Sequence, residues 1–279
     1  MKIRKAVVTA AGVGQGDLLL QKLVDRDGRD KTVLEMIIEE IDSASIDSIA
    51  FVIDPESQGA CIDAAGSYRD RLVLVTQGDY GPGYGQAILS CRDFVGNEPF
   101  LHMVGDHLCY SRGSKRCAAQ LCEVASQQGC SISAVQETRE SQLPYFGTVG
   151  GVRIPEFDRL FEVKRVMEKP TPTLAEQELL TAGLRNGNYL CFFGMHVLMP
   201  SIFRYLIEAI GSKGSPVSLT EGIQTALGRE RYLAYEIDGQ RYNLGVKFGL
   251  FSSQLALGLS GVDRDRVMSQ LIEVLSLHR

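Results

Sequence analysis

The sequence predicts an α/β fold in which a mixed, mostly parallel sheet is flanked by helices. Three observations carry that reading. Short apolar runs of strand length alternate with helix-length segments through the first half of the chain. The first run, Ala6-Val7-Val8-Thr9-Ala10-Ala11, breaks directly into glycines. Two later apolar runs end in charged residues, at Gly105-Asp106 and Glu168-Lys169, where strands of such a sheet expose their carboxyl ends.

Residues 6–11 read as the first strand. Thr32-Val33-Leu34-Glu35 has the spacing of a capping box and opens a helix through Ile41, with Val33, Met36, Ile37 and Ile41 on one face. Residues 49–53 form a strand ending at Asp54, a helix covers 59–68, and 72–75 is the next strand. After Gly81-Pro82-Gly83-Tyr84-Gly85 a helix spans 86–94, then a strand at 100–104, a helix at 114–127 and a strand at 131–135. The rhythm then changes. Residues 147–154 and 160–167 are extended segments joined by a Pro-containing turn, and 189–198 is a long apolar strand followed by a helix from Pro200. Helices are expected near 219–227, 247–257 and 263–275.

No linker, repeat or low-complexity run divides the 279 residues. The expectation is a single domain over 1–279, with a nucleotide-binding half to about residue 135, a second-substrate half at about 136–260, and a C-terminal helix at about 261–279. The net charge of −5 leaves no basic footprint for nucleic acid. No apolar run approaches the roughly 18 residues of a membrane span, so no membrane partner is expected. Seven scattered cysteines with no Cys-x-x-Cys fit buried thiols in the cytoplasm rather than disulfides or zinc.

The glycines after the first strand have two readings. Backbone N–H groups exposed in such a turn attract phosphate; a tight strand–helix turn needs the same glycines with no ligand. A dinucleotide fingerprint fits poorly, because Gly12-Val13-Gly14-Gln15-Gly16 is Gly-x-Gly-x-Gly rather than Gly-x-Gly-x-x-Gly.

Eight short motifs, in order, resemble the bacterial UTP–glucose-1-phosphate uridylyltransferases of the sugar-phosphate nucleotidyltransferase superfamily. They are Val8-Thr9-Ala10-Ala11-Gly12-Val13-Gly14; Gln21-Lys22-Leu23-Val24; Gln77 with Gly83-Tyr84-Gly85-Gln86-Ala87; and Asn97-Glu98-Pro99-Phe100 leading to Gly105-Asp106. Tyr145-Phe146-Gly147-Thr148-Val149, Val166-Met167-Glu168-Lys169-Pro170, Ser218-Leu219-Thr220-Glu221-Gly222-Ile223 and Tyr242-Asn243-Leu244-Gly245 complete the series. The resemblance covers residues 5–255 and implies a Rossmann-like nucleotide-diphospho-sugar transferase fold. It implies that an oxygen of a sugar 1-phosphate, glucose 1-phosphate most of all, attacks the α-phosphate of UTP, releasing pyrophosphate and forming UDP-glucose with Mg2+ as cofactor.

The resemblance also implies roles. Ala10, Ala11 and Gly12 lie against the nucleoside, Gln77 pairs with a uracil edge, and Gly83 admits the base from the other side. Gly147, Glu168 and Gly194 face the sugar. Lys22, Lys169 and Lys247 neutralise phosphates, with Lys22, Asp106 and Lys169 as the catalytic set, and Asp106 and Asn243 hold the metal. Each residue also has a plain structural reading: Asp106 as a helix N-cap, Glu168–Lys169 as a strand-end ion pair, Gln77 as a turn amide. His107 and His196 read as supporting residues, because a sugar phosphate is already an anion and needs no base.

The pattern departs from the family at the phosphates and the metal. The family's phosphate-loop arginine is Gly16, the second Asp of its Gly-Asp-Asp is His107, and the other metal carboxylate is Asn243. Arg26, Arg29 and Lys31 are the candidate replacement charges. An enzyme with a rearranged phosphate site is therefore set beside an alternative, a nucleotide-sugar-binding relative acting as a sensor or partner subunit. The late helices are candidates for a homo-oligomer contact.

Overall fold

In the computed structural model, which describes residues 1–12, 14–78, 81–213 and 216–277, strand β1 (Lys5–Ala10) lies in the interior of a nine-stranded sheet. Val13 of the glycine loop and residues 278–279 of the expected last helix lie outside the described residues. Both faces of β1 are covered, which explains why its sequence is a continuous apolar run rather than an alternating one. Ala6, Val8 and Ala10 join one core cluster and Val7 the other.

After β1 come helix α1 (Gln15–Leu19) and a small hairpin, β2 (Lys22–Val24) and β3 (Asp30–Thr32). Helix α2 (Val33–Asp42) starts on the expected capping box: the Thr32 hydroxyl accepts from the Glu35 N–H while the Glu35 carboxylate accepts from the Thr32 N–H. β4 (Ser48–Ile53), α3 (Gln58–Ala64) and β5 (Leu72–Val75) follow. The helix expected at 59–68 is α3 followed by a 3₁₀ stretch through Arg71, and that expected at 86–94 is split into α4 (Tyr84–Leu89) and α5 (Arg92–Val95). β6 (Phe100–Val104), β7 (His107–Ser111), α6 (Cys117–Gln128) and β8 (Ser131–Arg139) close the first half.

The second half holds β9 (Thr148–Arg153), β10 (Leu160–Met167), α7 (Pro172–Glu178), β11 (Asn188–Leu198), α8 (Ile202–Lys213), α9 (Leu219–Ala226), β12 (Tyr232–Glu236), β13 (Gly239–Asn243), α10 (Gly249–Ser260) and α11 (Arg264–Leu277). The sheet order is β5-β4-β1-β6-β11-β8-β12-β10-β9. β5, β4, β1 and β6 are parallel; beyond β6 the pairings are antiparallel except for β8 with β12. The parallel character read from the βαβ rhythm thus belongs to the first half. Helices α2, α3 and α6 pack on one face through Leu34, Ile37, Cys61 and Leu121, and α4, α8 and α9 on the other through Ile88, Phe203, Leu206 and Ile223.

β7 and β13 form a two-stranded ribbon apart from the main sheet. All seven cysteines are free, five of them buried, and burial pushes the Cys61 thiol up to about 11 and Cys91 and Cys122 up to about 12. No helix among the described residues is long and apolar enough to cross a membrane.

The carboxyl edge of the sheet depends on Gly105. Its N–H donates to the Thr9 carbonyl at 2.9 Å, and a Cβ there would sit 2.7 Å from the Ala10 Cβ. Gly105→Ala should therefore force β6 away from β1 and cost about 1–3 kcal/mol, the usual penalty of overpacking. Urea unfolding checks this: an unchanged midpoint would show that the two strand ends tolerate separation.

Candidate active site

The chain leaves β6 through Gly105 and reverses at once into β7, which places Asp106 at the carboxyl end of the sheet. Asp106 Oδ1 lies 2.6 Å from His107 Nδ1. Burial pushes the Asp106 carboxyl up, but the His107 hydrogen bond, the His107 charge and the charge of Lys169 together hold it below its ordinary value. β13 returns antiparallel to β7 with Asn243 opposite His107, and the Leu244 N–H donates to the Asp106 carbonyl at 2.8 Å. Asn243 Oδ1 accepts the Gly245 N–H at 2.9 Å.

This ribbon brings the two expected metal residues together. The point where a Gly245 Cβ would stand is 3.4 Å from Asn243 Oδ1 and 3.5 Å from Asp106 Oδ2. One carboxylate oxygen and one amide oxygen facing a common point form a hard donor set, and Mg2+ characteristically keeps water or phosphate oxygens in its other positions. Among the described residues no group of three or more His, Cys, Asp or Glu side chains is placed to hold a metal by itself. The donor set therefore fits a hard cation whose remaining positions are filled by oxygens from outside the protein.

Beside Asp106 is a cavity of about 90 Å³. Gly147, Glu168 and Gly194, expected from the sequence to face a sugar, all line it, with Tyr84, Phe146 and His107 among the other walls. Gly147 is required by packing: a Cβ there would meet the Phe192 ring at 2.6 Å and Thr220 Oγ1 at 2.9 Å. Gly194 sits where the register of β11 against β8 shifts, at a φ of +87°, and a Cβ would meet Val104 at 2.8 Å. The Thr220 hydroxyl donates to Glu168 Oε2 at 2.5 Å and orients that carboxylate. Lys169 is one of only three non-glycine residues at positive φ among the described residues, at +45°, a conformation that concentrates at ligand-handling positions.

The nucleotide side differs more from expectation. Ala10 is buried at the end of β1, with Ala11 and Gly12 half-buried beyond it. The Gly12 N–H takes the Gln15 side-chain oxygen at 3.3 Å, so Gln15 covers a donor otherwise open to phosphate. Gln77 Nε2 donates to the carbonyls of Gly81 and Gly83, both at 3.0 Å. Both amide hydrogens are thus spent holding the glycine loop, and Gln77 acts here as a staple rather than a donor to a uracil edge. Gly83, at φ +140°, has the freedom that loop needs.

The phosphate charges are also distributed unexpectedly. Gly16 is buried, and a Cβ there would be 2.2 Å from Ser57 Oγ and 2.6 Å from Ser57 Cβ. The position where the family carries arginine is therefore packed against the chain before α3. Arg26 stacks over the Tyr110 ring at 4.7 Å, with its Nε donating to the Ser260 carbonyl at 3.4 Å. Lys31 is held between Asp25 at 2.8 Å and Glu39 at 2.6 Å. Neither is a replacement charge at the glycine loop; Arg29 is exposed in the β2–β3 turn. Lys22 is exposed on β2, and Lys247, exposed near Asn243 in sequence, lies 5.3 Å from the centre of the Phe248 ring. Neither lines the cavity.

A buried polar network beneath the cavity has no local signal beyond polar residues inside apolar strands. His102 Nε2 is 3.2 Å from Thr9 Oγ1, and His102 faces His196 with ring centres 5.7 Å apart. His196 Nδ1 is 2.7 Å from Ser133 Oγ, which is 2.8 Å from the Tyr232 hydroxyl. His196 does line the cavity, so its supporting role is exercised from the cavity floor.

Gly16→Arg should therefore destabilise the fold by at least about 1–3 kcal/mol instead of supplying a phosphate ligand. A thermal melt equal to the parent's would show that Ser57 yields. A second expectation concerns acid. Burial pushes His102 well below its ordinary value and His196 down to about 3. The unfolded chain takes up these protons below about pH 6.5 while the folded chain does not. Their contribution to stability is therefore complete above that pH and falls by up to about 1.4 kcal/mol per pH unit per histidine as acid is added. His196→Asn should flatten the pH dependence of urea unfolding between pH 6.5 and 5; an unchanged slope would contradict the neutral-histidine account.

No family model matches the chain. Curated relatives nevertheless align along nearly all of it. UTP–glucose-1-phosphate uridylyltransferase 2 of Staphylococcus saprophyticus is 26% identical over 303 aligned residues, covering 99% of each chain. UTP–glucose-1-phosphate uridylyltransferase 1 of the same organism is 28% identical over 287, covering 93% of this chain and 94% of its own. Among solved structures, a UDP-glucose pyrophosphorylase complexed with UDP-glucose superposes with a TM-score of 0.74 at 23% identity, over 91% of this chain and 98% of that one. A UTP-bound UDP-glucose pyrophosphorylase of Acinetobacter baumannii gives 0.73 at 19% identity, over 97% and 98%. The fold is thus theirs, and over nearly all of its length the chain is similar in sequence to proteins named UTP–glucose-1-phosphate uridylyltransferase, the family its eight motifs resemble.

Proposed function

We propose that the protein joins UTP and glucose 1-phosphate into UDP-glucose and pyrophosphate, using Mg2+. The observation that carries this reading is the convergence of Gly147, Glu168 and Gly194 on one cavity whose His107 wall holds Asp106. The full-length similarity to enzymes named for this reaction supports it. In this reading the nucleotide occupies the half of the domain up to about residue 135 and the sugar phosphate the half from about 136 to 260.

The sugar-phosphate oxygen attacks the α-phosphorus, a new P–O bond forms, and the bond to the β-phosphate oxygen breaks, releasing pyrophosphate. The attacking oxygen is already anionic, so no side chain has to remove a proton. Glu168, oriented by Thr220, accepts from sugar hydroxyls, and the backbone at Gly147 and Gly194 lets the ring approach closely. Lys169, whose charge Asp106 already feels, offsets the negative charge of the incoming phosphate. Asp106 Oδ2 and Asn243 Oδ1 are the oxygens that would hold the cation. When bound, Mg2+ neutralises charge developing on the phosphates and orients them in line. The Gln77-stapled loop and Ala10–Gly12 flank the base, and Lys22 and Lys247 are the remaining exposed cations assigned to phosphate.

Pyrophosphate release should require UTP, glucose 1-phosphate and Mg2+ together. Lys169→Ala should raise KM for glucose 1-phosphate about tenfold, the loss of one charge-assisted contact, with a smaller change for UTP. Asn243→Asp should lower the Mg2+ concentration needed for half-maximal rate, because it restores a second anionic ligand. Tight binding of UDP-glucose with no pyrophosphate release under any of these conditions would overturn the enzymatic reading in favour of a sensor.

A further inference from the structure

Arg241 on β13 is a buried cation that no carboxylate pairs with among the described residues. It is 8% exposed, and its Nε and Nη1 are buried without a hydrogen-bond partner. Nη2 donates to Thr138 Oγ1 on β8 at 3.2 Å, and the Arg241 backbone N–H donates to Gln136 Oε1 at 3.2 Å. The titratable groups that bear on the guanidinium are the Cys191 and Cys109 thiols. Burial pushes it down to about 10, so it stays protonated at neutral pH. Burying a cation with unsatisfied N–H groups is costly, and packing alone would be served better by an apolar side chain of similar length.

The partner of this cation is a ring. The guanidinium carbon lies 3.7 Å from the centre of the Phe146 ring, the shortest cation–ring separation among the described residues. Such a contact is strongest when it is desolvated, as here. Phe146 lines the sugar-side cavity and Arg241 does not, so the guanidinium supports the wall from behind. The same ring meets the His107 ring edge-on, with centres 6.2 Å apart. Arg241 and Asn243, two residues apart, share one face of β13, opposite Cys109 and His107 of β7. One strand thus delivers both an oxygen to the metal side of Asp106 and the support of the sugar-side wall.

We propose that Arg241 is a positioning residue for the hexose: it fixes the Phe146 ring as a wall of the sugar-side cavity without touching the substrate itself. Phe146 immediately precedes Gly147, another residue lining that cavity, so the ring and the sugar-facing backbone are set together. Held from behind, the ring offers the hexose a fixed apolar surface while Glu168 takes its hydroxyls. The inference rests on the reaction proposed above and adds a residue to it that no motif singled out.

Calorimetry of the full chain with UDP-glucose and with UDP tests this. Arg241→Met should weaken UDP-glucose about tenfold, the scale of one desolvated cation–π contact, and UDP by less than about twofold. Arg241→Gln keeps a donor for Thr138 Oγ1 but not the charge; it should show the same selective loss, and it carries the test should the Met variant fail to fold. Phe146→Leu should give the loss by itself, and adding Arg241→Met to it should cost nothing more, because residues acting through one contact are non-additive. In ligand-free crystal structures of the Arg241 variants the Phe146 ring should have left its place on the cavity wall. Equal weakening of UDP and UDP-glucose, additive effects of the Arg241 and Phe146 substitutions, or an unmoved Phe146 ring would overturn the assignment. A parent protein that binds no UDP-glucose would overturn the reaction itself, and the ligand-free ring position would then still decide whether Arg241 holds Phe146.

Discussion

The close approach of two strand ends is the constraint on which the rest of the site depends. Because Gly105 has no side chain, β6 stays hydrogen-bonded to β1 to its last residue and the chain can turn at once into β7. That turn exposes Asp106 at the carboxyl end of the sheet, where ligands of open α/β folds bind. It also starts the ribbon that brings Asn243, far away in sequence, next to Asp106. A half-buried carboxylate is costly unless it has partners, and His107 at 2.6 Å supplies one.

The departures from the family pattern have a local physical explanation. An arginine at position 16 would be driven into Ser57, so glycine there is a packing solution and not merely a missing charge. Arg26 and Lys31, near in sequence, are drawn off by Tyr110 and by Asp25 and Glu39. Besides His107, the cation whose charge bears on Asp106 is Lys169, contributed by the second half of the chain at a positive φ.

Much of this was legible in the sequence wherever the signal is local. β1, β4 and β6 are apolar runs closed by glycine or a carboxylate, and α2 begins on a capping box read directly from Thr32 and Glu35. Gly147, Glu168 and Gly194 were identified by motif and do meet at one cavity. The β7–β13 ribbon and the β2–β3 hairpin were missed because they are short and half-polar, and their pairing is decided by distant neighbours. Gln77 was read as pairing with a uracil edge because its sequence cannot reveal that Gly81 and Gly83 present carbonyls to its amide hydrogens. The contacts of Gly16 and Lys31 were hidden for the same reason: a residue's partner across the fold leaves no mark beside it in the chain.

In the proposed reaction, metal and sugar meet on the two sides of the Asp106–His107 turn. A crystal structure of the protein with UDP-glucose and Mn2+ tests it most directly. The account predicts the metal between Asp106 Oδ2 and Asn243 Oδ1 and the hexose in the cavity lined by Gly147, Glu168 and Gly194. A hexose bound outside that cavity, or a metal held without Asp106, would contradict it.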